Sequence, residues 1–399
     1  MDLALVIDDY LPYSTRVGAK MFHELAIELK LRGHQVTVIT PNSQQKETLK
    51  VFELDGITVW QFKSGPIKDV SKLRRAINET LLSFKAWNAI RHHVNSNSFD
   101  GLIYYSPSIF WGGVVKKLKM LCNCRAYLVL RDVFPQWVID AGLLKENSVL
   151  VKYFRYFERK TYEQADQIGV MSERNSELFE VWNEAFSCEV LRNWASTKNI
   201  IKINNGYISV RERLNLNNKV IYFYGGNIGF AQDMANIMRL VKKMQRYDNA
   251  HFLFVGQGDE VSLINNLAKE WNLENFTYLP SVNQDEFKSI LAEVDVGLFS
   301  LSARHSAHNF PGKLLGYMVE SLPILGSVNA GNDLLDIVNS NNAGFIHVNG
   351  EDDLLFSSAQ KLFLDDELRK SLGMNAKQLL INQFSVESAA QLIVSKLGG

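Results

Sequence analysis

Short apolar runs alternate with longer amphipathic ones along almost the whole chain. Strand-like runs stand at LALVID (3–8), QVTVIT (35–40), ITVWQF (57–62), GLIYYS (101–106), AYLVLRD (126–132), QIGVM (167–171) and CEVLRN (188–193). Most are separated by stretches with helical spacing, as in AKMFHELAIELKLRG, where Phe22, Leu25, Ala26 and Leu29 share one face. Such alternation predicts a parallel sheet with helices on both sides. Polar, irregular residues then fill 195–219, and a second series follows at VIYFYGG (220–226), HFLFVG (251–256), FTYLP (276–280), VGLFSL (296–301), PILGSV (323–328) and GFIHV (344–348). The expected organisation is a doubly wound α/β domain over 1–195, a linker over 196–219 and a second such domain over 220–375. A C-terminal helix at 376–399 is free to pack back on the first domain. Two such domains in tandem predict a cleft that faces the carboxyl ends of both sheets.

Composition narrows the class. The 399 residues are 46% hydrophobic and 22% charged, ordinary for a globular enzyme. No apolar run approaches the ~18 residues of a membrane span, and no signal peptide is recognisable. Cys122, Cys124 and Cys188 form neither a disulfide framework nor a zinc pattern, which points to a reducing cytoplasm. The net charge of +0 hides an asymmetry: residues 63–131 hold 12 basic residues against three acidic ones, Asp69, Glu79 and Asp100. Lys72, Arg74 and Arg75 beside Leu73 and Ile77, with Lys116, Lys117 and Lys119 near Trp111, suggest a face that meets anionic lipid. A solvated helix face explains the same pattern equally well.

Ligands of open α/β sheets bind beyond the strand carboxyl ends. The first strand runs into DDYLPYSTRVGAK, where Gly18 opens a helix. Three glycine-bearing turns follow strands of the second half. They are GGNIGFAQ with Gly225, Gly226 and Gly229, VGQGDE with Gly256 and Gly258, and HNFPGKLLGYM with Gly312. In the last, Pro311 suits a first helical position, and Lys313 puts a cation where the helix dipole is already positive. That placement is unfavourable unless an anion sits beside it; the alternative is an ordinary helix start with a solvated lysine. The spacing matches neither a GxGxxG dinucleotide fingerprint nor a Walker loop, and no Asp-x-Asp pair or histidine cluster offers a metal seat.

Taken together, these loops resemble a family 4 glycosyltransferase of the GT-B type, with two Rossmann-like domains facing across a cleft. The likeness is carried by LPYSTRVGAKMFHELAIELKLRGHQVTVIT in the first half, then YGGNIGFAQDM, FLFVGQGDE and PGKLLGYMVESLPIL in the second. Within that family the chain is similar to bacterial O-antigen and capsule transferases of N-acetyl-fucosamine or a related 6-deoxy amino sugar. The resemblance implies a nucleotide-sugar donor, UDP-linked, on the C-terminal domain and a polyprenyl-diphosphate-linked saccharide acceptor on the N-terminal one. It further implies retention at the anomeric carbon, no metal, no cofactor beyond the donor, no nucleic-acid partner and a peripheral place on the cytoplasmic membrane face. The chain departs from the family pattern where two glutamates usually stand, since His308 and Gly316 occupy those positions. Asn227 stands for a diphosphate-gripping Arg, and Ala231 or Gln232 for a Lys.

The implied donor-binding set is Gly18, Gly226, Asn227, Gly229, Gln232, Gly256, Gly258, Glu260, His308, Pro311, Gly312, Lys313 and Tyr317. The implied acceptor set is Asp9, Arg16, Tyr105 and Asp132. Lys313 is the expected leaving-group stabiliser, with Asp132 and Arg131 beside the acceptor. Asp132 orients the acceptor or acts as base, or else caps the next helix; Tyr105 serves the reacting carbon or simply packs. Glu260 touches the donor or sits in a helix's first turn. Two rival functions share this fold: a nucleotide-sugar 2-epimerase, and a degenerate protein that only binds a nucleotide-sugar.

Overall fold

The computed structural model describes residues 1–398 apart from 15, 68, 69, 107, 141, 143, 198–206 and 304–311, and not the side chains of Lys72, Leu73, Trp137 and Asp140. The chain forms two compact units, one of Met1–Asn193 with Val386–Gly399 and one of Trp194–Ser385.

The first unit begins with β1 (Asp2–Val6), α1 (Val17–Leu31), β2 (Gln35–Asn42), β3 (Leu49–Leu54) and β4 (Ile57–Lys63). Next come α2 (Lys72–Thr80), α3 (Leu82–Ile90), β5 (Gly101–Ser106), α4 (Gly112–Cys122) and β6 (Arg125–Leu130). Then follow α5 (Gln136–Asp140), α6 (Val149–Tyr162), β7 (Gln167–Val170), α7 (Glu173–Trp182) and β8 (Glu189–Val190). The sheet order is β3-β4-β2-β1-β5-β6-β7-β8, parallel except for β3. The sequence reading has no strand at β3. Its signal is the Asp55-Gly56 pair, at φ 51° and 73°, which closes the two-residue hairpin turn to β4.

The second unit holds α8 (Val210–Arg213), β9 (Val220–Asn227), α9 (Met234–Met244), β10 (Ala250–Gln257) and α10 (Val261–Glu270). After them come β11 (Phe276–Pro280), α11 (Gln284–Leu291), β12 (Val296–Ser300), α12 (Gly312–Val319) and β13 (Ile324–Val328). It closes with α13 (Asp333–Ser340), β14 (Gly344–Val348), α14 (Asp352–Leu364) and α15 (Asp366–Gln383). The six strands are all parallel, in the order β11-β10-β9-β12-β13-β14. Counted within the unit this is 3-2-1-4-5-6, the doubly wound order that binds dinucleotides at its reversal. Residues of β1, β12 and β13 are buried on both sheet faces, which is why these strands read as unbroken apolar runs.

Part of the expected linker is built into the second unit. Val210 and Leu216 lie in its core, and Arg211 pairs with Asp295 at 2.7 Å. The expected C-terminal helix is the end of α15 followed by α16 (Val386–Leu397), which packs on α1 and β6. Ala389, Ala390, Ile393 and Leu397 of α16 are buried, and Leu397 lies against Gly101 of β5. Truncation of Ile393 to Ala is expected to destabilise the first unit by about 2–4 kcal/mol, read from denaturant unfolding. A change within ±0.5 kcal/mol would show that α16 is not part of that core.

Candidate functional site

The reversal of strand order in the second unit lies between β9 and β12. Their register runs Val296↔Tyr222 and Gly297↔Phe223 and stops there, so the strands part beyond Phe223. Into this crevice come the Gly225-Gly226-Asn227 end of β9 and the first turn of α12. One turn along α12, the Tyr317 hydroxyl accepts from Gly225 N–H at 3.2 Å and donates to the Leu298 carbonyl at 3.0 Å. Tyr317 is fully buried and its ring fills the place where a Cβ on Gly297 would sit. The donor-contact role expected for Tyr317 is therefore corrected: it ties α12 to both strands and presents no group to a ligand.

Lys313 stands in the first turn of α12. Part of its stem is exposed, but its ammonium is buried, 3.7 Å from the centroid of the Tyr224 ring, and has no hydrogen-bond partner among the described residues. The aromatic face offsets part of the desolvation. Burial alone still lowers the amine from 10.5 to about 7. Gly226, at φ 104°, is exposed above it, and a Cβ there would meet only the Lys313 Cε, at 3.8 Å. A helix start, an unpartnered cation and open backbone thus meet at one point, an arrangement suited to a phosphate group.

The rest of the GGNIGFAQ turn is held by its own bonds. Tyr224 hydroxyl donates to the Asn227 carbonyl at 2.8 Å, Asn227 Nδ2 to Gln232 Oε1 at 2.8 Å, and Phe230 N–H to Asp259 at 3.2 Å. Asn227 and Gln232 are side by side, a neutral amide pair. Gly256 is not a ligand contact as expected, because its absent Cβ would lie 1.8 Å from the Gly226 carbonyl; it lets β10 support the β9 turn. Gly258 does the same beneath Ile228, and Gly229 fits between Asn227 and Asp259. The Glu260 carboxylate accepts from Met234 N–H at 3.1 Å and so closes the start of α9. Its expected donor contact is corrected to a capping one. Gly312 begins α12, while His308 and Pro311 lie outside the described residues.

In the first unit the reversal lies between β1 and β5. The Tyr105 ring packs on Phe22 at 4.7 Å, and its hydroxyl lies 3.1 Å from where a Cβ of Gly18 would be. Gly18 therefore admits Tyr105 against the start of α1. Burial pushes the Tyr105 phenol up, with Arg131 opposing and Asp8 and Asp132 adding to the rise. Burial also raises the Asp132 carboxyl above its usual range, Arg131 pulling it back and Asp8 lifting it further. Helix α5 starts at Gln136, so the residue before it is Pro135, and Asp132 is not its cap.

Three expectations change here. Arg131 is buried, and its Nη groups donate to the carbonyls of Leu130, Gly169 and Arg192 at 3.2–3.4 Å. It binds together the ends of β6, β7 and β8 and is not an acceptor contact. Asp9 accepts from Ser14 at 2.7 Å and lies 3.6 Å from Arg16 Nε, so these two acceptor candidates pair with each other within one loop. Asp8, which the sequence reading passes over, is the carboxylate that acts on Tyr105 and Asp132. Its signal is its position two residues beyond β1.

The basic stretch resolves into several parts. Arg74, Arg75 and Ile77 on α2, and Lys116 and Lys117 on α4, are exposed, and Lys117 lies over the Trp87 ring at 5.2 Å. Trp111 is corrected to a core residue, packed edge-on to Phe62 at 6.4 Å. Lys119 pairs with Asp166 at 2.6 Å. Helix α6, joined to α2 through a Thr80–Tyr153 hydroxyl bond, adds exposed Val149, Leu150, Lys152 and Tyr156. No helix among the described residues is long and apolar enough to cross a membrane.

Comparison with known proteins now bears on the second unit. Residues 208–379 match the family model described as glycosyl transferases group 1. Over these residues the second unit is similar to a group 1 glycosyltransferase domain. The chain is 26% identical over 232 residues to the probable glycosyltransferase WbjE of Pseudomonas aeruginosa, a match spanning 57% of each protein. It is 23% identical over 304 residues to the putative colanic acid biosynthesis glycosyl transferase WcaI of Escherichia coli (strain K12), covering 73% of this chain and 74% of that one. Among solved structures, WaaG, a glycosyltransferase involved in lipopolysaccharide biosynthesis, superposes with a TM-score of 0.65 at 16% identity over 100% of both chains. That likeness is one of fold, and the α/β fold with two Rossmann-like units is of the GT-B type.

The buried amine makes a prediction for the empty protein. In the unfolded chain Lys313 keeps its ordinary 10.5, so between pH 7 and 10.5 the unfolded state binds the extra proton. Stability of the empty fold then rises with pH through that window. Lys313→Met removes the cost of burying the charge and is expected to melt several degrees above the parent at pH 7, with the advantage gone by about pH 10.5. A gain that persists unchanged across that range would assign it to packing instead.

Proposed function

We propose that this chain is a retaining glycosyltransferase of bacterial surface-polysaccharide assembly. It moves a sugar from a nucleotide-sugar held on the second unit to a lipid-linked saccharide. The observation that carries this reading is the buried, unpartnered Lys313 ammonium at the strand-order reversal of a group 1 glycosyltransferase domain. Such a cation stabilises a departing diphosphate, the charge that develops most in glycosyl transfer. Similarity to WbjE and WcaI, named as a probable glycosyltransferase and a putative colanic acid biosynthesis glycosyl transferase, supports the polymer class. N-acetyl-fucosamine or a related 6-deoxy amino sugar, UDP-linked, is the donor we propose, on the resemblance of the GNIGFAQ and PGKLLGYM turns.

In this reaction the departing phosphate takes the acceptor proton, so no strong base and no metal are needed. Asp132 and Asp8 then orient the acceptor hydroxyl by hydrogen bonds, burial raising the Asp132 carboxyl above its usual range. The test supplies nucleotide-sugars with a polyprenyl-diphosphate saccharide and follows nucleotide release. Release that requires the acceptor supports transfer; conversion of donor without acceptor would indicate an epimerase, and binding without either a non-catalytic protein. Lys313→Ala is expected to cut turnover at least ~10-fold. Near-normal turnover would remove the phosphate role.

A lipid-linked acceptor requires work at a membrane surface. The chain docks there through exposed Arg74, Arg75, Lys116, Lys117 and Lys152, with Ile77, Val149, Leu150 and Tyr156 as the apolar edge. Each basic residue near an anionic surface contributes ~1 kcal/mol, so four or five suffice for reversible docking. Co-sedimentation with anionic vesicles should fall steeply as salt rises. Arg74→Glu with Lys116→Glu should lower activity on a long-chain lipid acceptor far more than on a short soluble analogue. An equal loss on both would place these residues in the fold or the site.

A further inference from the structure

Around the Lys313 ammonium, every described group is neutral or already engaged. From β9 comes the Tyr224 ring, whose phenol burial holds far above its ordinary value, so it stays neutral. Tyr317 on α12 itself is neutral for the same reason. From the β10–α10 turn, Asp259 accepts from Phe230 N–H and Glu260 from Met234 N–H. Ahead of α9, Asp233 accepts from Asn236 N–H and Asn349 Nδ2. Helix α11 brings only the Phe287 ring against Gly225, and β12 ends in Ser300, which accepts from Asn236. Arg304, His305 and His308, which precede α12, lie outside the described residues. Burial is the one cause that acts on this amine among the described groups, and it lowers the amine to about 7.

We propose that a diphosphate entering this crevice draws a proton from solvent onto the Lys313 amine, so that donor binding and protonation are one coupled event. The inference rests on the donor reading given above. An anion beside the amine favours its charged form and so opposes the effect of burial. The empty site thus avoids a buried cation without a counter-charge, and the ligand itself generates the charge that grips it. By linkage, the amine's contribution to affinity is flat below about pH 7 and falls about tenfold per pH unit above it, until the value of the occupied amine is reached.

The test is isothermal titration calorimetry of UDP into the full chain at pH 8, in several buffers of different ionisation heat. At that pH a phosphate whose second ionisation lies near 6 is already fully charged and takes up no proton. The expected uptake is about 0.9 proton per UDP, with affinity about tenfold weaker at pH 9. Lys313→Arg carries its charge before the ligand arrives, so its uptake should be near zero and its affinity independent of pH. Lys313→Met, neutral at every pH, should bind more weakly and also without uptake, a second control should the arginine not fit. Uptake that survives in both variants would assign the proton to another group and overturn the proposal. UDP binding to the parent without uptake would overturn the coupling while leaving the donor site intact. Failure of UDP, GDP, ADP and inorganic pyrophosphate all to bind would overturn the site and the coupling together.

Discussion

The Tyr317 hydroxyl takes the Gly225 N–H and gives its own proton to the Leu298 carbonyl, and through these two bonds three diverging elements are held at fixed separation. β9 and β12 share two register pairs, and the Tyr317 hydroxyl, which also lies 3.3 Å from the Phe223 carbonyl, ties α12 to both strands where they part. Because α12 is set in this way, Lys313 is carried over the Tyr224 ring and under Gly226. The unpartnered ammonium is thus a consequence of a packed core and not of a flexible surface chain. Geometry that rests on buried hydroxyl–backbone bonds is costly to distort, since breaking one strands a polar group away from water.

The same logic separates the two ends of strand reversal. In the second unit the described residues bring to the crevice the Lys313 amine, unpartnered among them, and a neutral amide pair, Asn227 and Gln232. In the first unit it carries two carboxylates, Asp8 and Asp132, with the nearby guanidinium of Arg131 spent on backbone carbonyls. The two reversals thus differ in the charge of the side chains that the described residues bring to them. The proposed transfer, with its anionic leaving group and hydroxyl acceptor, would use that difference.

Most of the strands could be read directly because parallel sheets bury both faces and leave apolar runs between helical ones. β3 escaped because it is an edge strand with alternating, partly exposed residues, though Asp55-Gly56 marks its turn. Lys313 was legible, since a lysine in a first helical turn after Pro-Gly conflicts with the helix dipole. Asp8 and Asp9 could not be told apart, because in a loop the direction of neighbouring side chains depends on what the fold packs beside them. Trp111 and Arg131 were misread for a related reason. Both sit beside exposed or charged neighbours in the chain, yet the sheet ends enclose them. Glycines mark close backbone approach, but sequence does not say whether the visitor is a ligand, as fits Gly226, or another strand, as at Gly256.

Helix α16 has a temporal consequence. The first unit is not contiguous: its residues up to Asn193 leave the ribosome well before Val386–Leu397, which cover α1 and β6. All of Trp194–Ser385 is synthesised in between, which at ~5–20 residues per second takes on the order of 10–40 s. During that interval the nascent first unit carries an uncovered apolar face while the contiguous second unit can complete itself. Vectorial synthesis therefore inverts the order of the chain, so that the first unit is completed after the second.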